Sequence, residues 1–221
     1  MSAAGKTTRR NFLKGTALAG GGLLIGLQLP AGGRYAEAAE VPPGEAAFEP
    51  NAWVRISSDD QVTVIVGRSE MGQGVMTAIP MLVAEELEAD WDRIAAEFAP
   101  AHEAYTNALL GRQATGGSTA IRAAWRPLRE AGAAAKEMLL AAAADRWGVS
   151  TSECRVENQK VIHKGSGGEA TFGNLAAEAA EQPVPEAVFL KEPGQFRLLG
   201  TDRDRLDSPA KVDGSATFGM D

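Results

Sequence analysis

Two glycine-lined loops, each running straight into a helical pattern, constrain this chain more than any other feature. The first is Gly67-Arg68-Ser69-Glu70-Met71-Gly72-Gln73-Gly74, after which Met76, Ile79, Leu82, Val83 and Leu87 recur at helical spacing over residues 75–88. The second is Gly111-Arg112-Gln113-Ala114-Thr115-Gly116-Gly117-Ser118-Thr119, ahead of an alanine-rich stretch over residues 120–147. A helix start presents unpaired N–H groups and the positive end of the helix dipole, and both favour an anion. Glycine lets a ligand approach the backbone closely, while Gln73, Ser118 and Thr119 add side-chain hydrogen bonding. On pattern alone the same loops read equally as plain turn chemistry. Neither matches G-x-x-x-x-G-K-[ST] or G-x-G-x-x-G, so nucleoside triphosphate and ordinary dinucleotide readings lose ground.

The rest of the chain supplies short elements around these helices. Residues 53–56 and 62–66 are strand-like and flank the turn formers Ser57-Ser58-Asp59-Asp60, a hairpin signal. Residues 94–98 read as a third strand, 156–158 and 160–163 as a second hairpin, 172–182 as a short helix, and 188–190 as a strand. Pro80 should bend the first helix and Pro127 kink or split the second. Ser118 or Thr119 can cap the second helix and Gly148 is placed to end it. Its small residues, Ala131 to Ala135, allow a neighbouring backbone to come close. Glu85 and Glu86 read as a solvated face, Met71 as packing, Cys154 as a buried apolar residue, and Trp53, Trp91, Trp125 and Trp147 as core or interface. The order predicts an α+β fold in which hairpins and short strands are packed by two main helices.

Charge and sulfur content exclude several functions. A formal charge of −7 with no basic stretch argues against nucleic-acid binding. The lone Cys154 can form neither an internal disulfide nor the ligand set of an iron–sulfur cluster. His102 and His163 stand far apart without ligand spacing, which disfavours a zinc or copper site. Redox chemistry here would therefore need an organically bound metal, or carriers on another chain.

Thr8-Arg9-Arg10-Asn11-Phe12-Leu13-Lys14, followed by an apolar run over residues 15–29, resembles a twin-arginine export signal. Ala36-Glu37-Ala38 offers a cleavage site of the A-x-A type, and the run is shorter than the ~20 residues of a spanning helix. The expectation is passage through the twin-arginine translocase to the periplasm in folded form, or a membrane tether if the signal stays uncut. That route serves mainly proteins that take up a complex cofactor in the cytoplasm. The division expected is a signal at 1–38, a linker at 39–50, one main region at 51–204 and the start of a further domain at 205–221.

The first loop, continuing through Val75-Met76-Thr77 and Pro80-Met81-Leu82-Val83-Ala84-Glu85-Glu86-Leu87, resembles the N-terminal portion of a molybdenum hydroxylase large subunit of the xanthine dehydrogenase family. The likeness is to the isoquinoline 1-oxidoreductase and aldehyde dehydrogenase type. Similar stretches are Tyr105-Thr106-Asn107, the second loop, Trp125-Arg126-Pro127-Leu128-Arg129 and Trp147-Gly148-Val149. Arg205-Leu206-Asp207-Ser208-Pro209-Ala210-Lys211-Val212-Asp213-Gly214 resembles the opening of that family's hammerhead-like domain. The resemblance implies that Gly72, Gln73, Gly74, Gly117, Ser118 and Thr119 contact molybdopterin, usually as its cytosine dinucleotide, with Met71 and Thr77 weaker candidates. It implies oxidative hydroxylation of aldehydes or N-heteroaromatic compounds with water, and electron transfer to an iron–sulfur small subunit. The family's catalytic glutamate belongs to a glycine-rich motif far toward the C-terminus, so no catalytic residue is assigned here and Glu70 is not given that role. A further chain or segment would then carry the rest of the molybdenum subunit. The competing expectation is a non-catalytic remnant or a scaffold for assembly.

Overall fold

The computed structural model describes residues 23–26 and 52–217. Strands β1 (Leu23–Gly26), β2 (Ala52–Ile56), β3 (Val62–Val66) and β4 (Ile94–Phe98) form one sheet in that spatial order. β1 pairs antiparallel with β2, and β2 with β3 across the Ser57–Asp60 turn. β1 falls inside the apolar run read as the export signal; the other signal residues and the linker at 39–50 lie outside the described residues. Every residue of β3 is buried, as its unbroken β-branched run requires of a strand flanked on both sides.

β3 and β4 are parallel, with Val66 opposite Phe98. Parallel neighbours need a crossover, and helix α1 (Val75–Leu87) supplies it. This unit has one consequence for the two glycine loops. Because β3 and β4 point the same way, the segments that leave them, 67–74 and 99–119, emerge at the same edge of the sheet. Sequence reading gave the strands and the helix but not this parallel pairing.

Helix α2 (Ala120–Trp147) packs against α1, and the small-residue stretch explains how. A Cβ on Gly132 would stand 2.4 Å from the Val83 carbonyl oxygen, closer than any real contact, so the helix backbones meet where the side chain is missing. Pro127 does not split α2, which is continuous from Ala120 to its end at Gly148, where φ is +64°. Pro127 lies in the first third of a helix roughly 42 Å long, so the one bond it removes is outweighed by the packing that follows.

A second sheet is formed by β5 (Cys154–Glu157), β6 (Lys160–His163) and β7 (Glu169–Thr171), all antiparallel. The Asn158-Gln159 turn between β5 and β6 has positive φ at both residues, as a two-residue hairpin of this hand demands. Gln159 is buried; its side chain accepts from the Asp90 N–H at 3.0 Å and donates to the Asp60 carbonyl, tying this hairpin to the first sheet. Helix α3 (Phe172–Glu181) follows, capped by Thr171, whose hydroxyl accepts from the Asn174 N–H. The architecture is the expected α+β arrangement.

Beyond α3 the chain runs without strands as a strap, ending in a short helix α4 (Ser208–Asp213). The strand expected at 188–190 does not form: Phe189 is 96% exposed and has no sheet neighbour. Glu85 and Glu86 are the reverse case. They are only 2% and 1% exposed, and they hold the strap down instead of facing water. Glu85 accepts from the N–H groups of Arg197, Leu198 and Leu199 and from Lys191 Nζ at 2.8 Å. Glu86 accepts from Arg129 Nε at 2.7 Å and the Lys191 N–H at 3.1 Å. The Arg129 guanidinium lies 5.1 Å from the ring centres of both Trp125 and Phe196, which closes the strap over α2.

Candidate functional site

The shared sheet edge brings the two predicted loops into contact. The Ser69 N–H donates to Thr115 Oγ1 at 2.8 Å, and the Ala99 N–H donates to the Val66 carbonyl at 3.0 Å. Beneath them Gly67 leaves room for Tyr105, whose Cβ would lie 3.0 Å from a Cβ at that position. Arg68 is buried there, its Nη1 bonded to the carbonyls of Gly67 and Tyr105 at 2.6 and 2.8 Å. Tyr105 packs edge-on against Trp53 with ring centres 4.9 Å apart, and burial pushes its phenol pKa up, so it stays neutral.

The first loop already contains the anion that its helix start attracts. Glu70 places its carboxylate over the beginning of α1 and accepts from the N–H groups of Gly72, Gly74 and Met76 at 2.8, 2.9 and 3.0 Å. Burial pushes the Glu70 pKa up, but those N–H groups and the nearby Arg205 charge outweigh it and hold the carboxyl below the ordinary range. Glu70 is thus a fixed carboxylate. Gln73 is bound back into the same turn: its Oε1 accepts from the Met71 N–H at 2.6 Å and its Nε2 donates to the Ser69 carbonyl at 2.8 Å. An amide nitrogen has two protons, so the exposed Gln73 keeps one donor for a ligand. Gly72 and Gly74 have φ of +99° and +83°, and a Cβ on Gly72 would meet nothing within 4 Å. Met71 is 68% exposed and does no packing, contrary to expectation, and Thr77 is buried with its hydroxyl accepting from the Leu206 N–H at 3.0 Å.

The second loop differs in that its helix start is open. No described side chain caps α2, and its first turn contains no acidic residue. Thr119 occupies the cap position, but its hydroxyl is taken by Asn107 Nδ2 and by the Gly116 carbonyl, both at 2.7 Å. Gly116, Gly117 and Ser118 are exposed, Gly117 and Ser118 have φ of +58° and +52°, and nothing crowds Gly116. Of the six predicted contact residues, Thr119 is therefore structural at its hydroxyl and Gly74 is half-buried against Arg205, while Gly72, Gln73, Gly117 and Ser118 lie exposed on turns.

Sequence reading missed Asn107, the fully buried side chain that braces Thr119, and Arg205, whose Nη2 donates to the Gly72 carbonyl at 2.9 Å. The spacing between partners explains the omission, since Arg205 stands 133 residues from Gly72. Among the described residues no group of three or more His, Cys, Asp or Glu side chains could hold a metal ion. The ring of His102 accepts from the Ala104 N–H, that of His163 pairs with Ser166, and burial pushes the Cys154 thiol pKa up. The gathered loops offer oriented donors and no poised acid or base.

Glycine turns are collected at the carboxyl ends of two parallel strands, beside an uncapped helix start, an arrangement that can receive a ligand's polar groups through backbone N–H. The chain belongs to the molybdopterin cofactor-binding domain family, whose profile matches residues 6–220, and within it to the large subunits of xanthine dehydrogenase-type molybdenum hydroxylases. It is 36% identical over 220 residues to isoquinoline 1-oxidoreductase subunit beta of Brevundimonas diminuta, covering 84% of this chain and 28% of that protein. It is 32% identical over 221 residues to the membrane-bound aldehyde dehydrogenase [pyrroloquinoline-quinone] of Gluconacetobacter polyoxogenes, covering 97% of this chain and 27% of that protein. Among solved structures, quinoline 2-oxidoreductase from Pseudomonas putida 86 aligns with a TM-score of 0.45 at 18% identity, over 59% of this chain and 16% of that one. The chain spans about a quarter of the length of these curated relatives. The family is one of molybdenum hydroxylase oxidoreductases, and the Brevundimonas relative is named as a subunit of its enzyme.

Proposed function

We propose that this chain is the molybdopterin-binding portion of an exported molybdenum hydroxylase, and that the two loops at the β3–β4 edge hold the cofactor. The observation that carries this reading is the juxtaposition itself: parallel strands deliver both glycine turns to one edge, where α2 begins without a cap. The fit to the group is chemical. Gln73, Gly117 and Ser118 present exposed donors on turns, and Gly72 beside them leaves space for a ligand's approach, suited to the amide-rich edge of a pterin and to phosphate oxygens. The division of labour follows from occupancy of the helix starts. Glu70 fills the first, leaving the Gln73 amide for neutral polar atoms, whereas the open start of α2 suits the anionic phosphates of a cytosine dinucleotide form.

When bound, the molybdenum centre supplies oxidation of an aldehyde or N-heteroaromatic carbon with oxygen from water, and its electrons leave through an iron–sulfur partner. The residues of this chain orient and enclose; Glu70, fixed as a carboxylate by three N–H groups, moves no proton. The substrate reading rests on the names of the two relatives, an isoquinoline oxidoreductase and an aldehyde dehydrogenase. Periplasmic export rests on the Arg9-Arg10 signal.

The test is purification of the assembled protein from periplasm, with measurement of molybdenum and of pterin released per polypeptide. Stoichiometric pterin in wild type, lowered about tenfold by Gln73→Ala with Ser118→Ala, is the expected result, since polar partners around a bound metal cofactor typically contribute 10–100-fold. Full pterin in that double variant would remove the loops from the site, and a chain that never acquires pterin would make it a scaffold. Arg9→Lys with Arg10→Lys should leave the protein in the cytoplasm; unchanged periplasmic yield would overturn the export reading.

A further inference from the structure

The Gly72-Gln73-Gly74 turn is held from outside by a residue far down the chain. Arg205 Nη2 donates to the Gly72 carbonyl at 2.9 Å and to Glu70 Oε1 at 3.3 Å. A Cβ on Gly74 would come within 3.2 Å of the same nitrogen, so the guanidinium lies directly against the turn. The Leu206 N–H donates to Thr77 Oγ1 at 3.0 Å, seating this contact on the first turn of α1. Behind the guanidinium, Arg205 Nε stands 3.7 Å from Asp207 Oδ1; both atoms are buried and make no hydrogen bond among the described residues. Upstream, Glu85 near the end of α1 grips the N–H groups of Arg197, Leu198 and Leu199. The segment 197–206 is thus fixed to both ends of the helix whose start forms the first loop.

From this geometry we infer that Arg205 is a positioning residue for the first loop, acting through the Gly72 carbonyl and Glu70 to set the orientation of the Gln73 amide. The inference deepens the cofactor reading above and rests on it for its consequence, but the positioning itself is a property of the protein alone. Arginine suits the task because its planar fork reaches a carbonyl and a carboxylate together, which a lysine ammonium on one flexible stem does not do with fixed geometry. Glu70 serves as the internal counter-ion that lets a cation sit over a helix start, where the dipole alone would repel it.

The experiment uses the full assembled protein, comparing Arg205→Ala and Arg205→Lys with wild type. Hydrogen exchange of the segment 70–77, read by mass spectrometry, reports the turn directly; pterin released per polypeptide reports its consequence. In Arg205→Ala the expected result is faster exchange confined to residues 70–77 and pterin retention lowered about tenfold, with Arg205→Lys intermediate in both. Unchanged exchange at 70–77 overturns the inference, as does acceleration spread evenly through α1 and the strap, which marks a general loss of stability. Should Arg205→Ala aggregate, the same two readouts on Arg205→Lys decide the matter. A wild-type protein without pterin sinks the cofactor reading, whereas the exchange measurement still judges Arg205.

Discussion

Glu85 shows how a single side chain overrides what its type suggests. Removing a carboxylate from water costs several kcal/mol, and only close partners on its remaining lone pairs offset that cost. Here three consecutive strap N–H groups and the Lys191 ammonium supply them. Burial raises the Glu85 pKa, yet the Lys191 hydrogen bond, the Leu199 and Leu198 N–H groups and the Lys191 charge outweigh it, so the folded pKa lies below the ordinary value of a glutamate. A depressed folded pKa contributes stability that is complete well above pH 4.5 and is lost as pH falls through the folded value, because the unfolded chain takes up the proton first. Glu70 adds to the same acid limb, since its folded pKa is also lowered. Glu85→Ala should therefore lower stability by about 3–5 kcal/mol at pH 7, leaving Lys191 and the strap N–H groups unpaired. Glu85→Gln should be destabilised at pH 7 but approach wild type near pH 3. Urea midpoints at the two pH values check both, and a gap that stays constant with pH would remove Glu85 from the acid response.

Among elements, the α1–α2 crossing depends on one missing methyl group. Gly132→Ala forces a Cβ against the Val83 carbonyl, which is backbone and cannot swing away. The expected cost is about 3 kcal/mol from overpacking. Gly148→Ala is the control: its φ is +64° but nothing lies within 4 Å, so only the left-handed penalty of roughly 1–2 kcal/mol applies. Equal losses in thermal melts of the two variants would show that the crossing is not close-packed. The ranking also separates what sequence shows from what it hides. The small-residue stretch announced a close approach, and the β-branched run at 62–66 announced a strand, because these signals are local. The parallel β3–β4 pairing was not legible, since it is decided by how α1 crosses back onto the sheet. The apolar triplet at 188–190 looked like a strand only because β-branched and aromatic composition says nothing of whether a neighbouring edge is free. Glu85 and Glu86 looked solvated because their partners on the strap lie about a hundred residues away, Lys191 at 106 and 105 positions. For the site, the turns Gly72-Gln73-Gly74 and Gly117-Ser118 are visible in the sequence, but that Glu70 fills one helix start while the other stays open is decided by how the loop folds back, which local pattern does not show.

At the scale of the whole molecule, the edge that gathers the loops is also where several large apolar side chains meet water. Met71 is on the first loop, Phe98 ends β4, and Leu109 and Leu110 lie on the segment leading to α2, with exposures of 68, 59, 51 and 40%. Scattered single apolar residues on a surface need no explanation, but four on converging segments around one site mark a face that gains by being covered. Polar anchoring elsewhere is complete enough that this face does not reflect a loose fold: the strap, the Gln159 turn and the loop braces are all hydrogen-bonded. The chain in isolation should therefore self-associate as concentration rises, and more strongly in a salting-out anion such as sulfate, which strengthens apolar burial. Replacing Met71, Phe98 and Leu109 together by Ser should suppress that association while leaving the unfolding midpoint within about 0.5 kcal/mol per site, the usual range for exposed positions. Sedimentation velocity over a hundredfold range of concentration, beside urea unfolding of the same samples, measures both quantities. A wild-type chain that stays monomeric throughout would mean that this face has no affinity for apolar cover, and a triple variant that associates as before would mean that association draws on the exposed Phe189, Trp125 and Val212 instead.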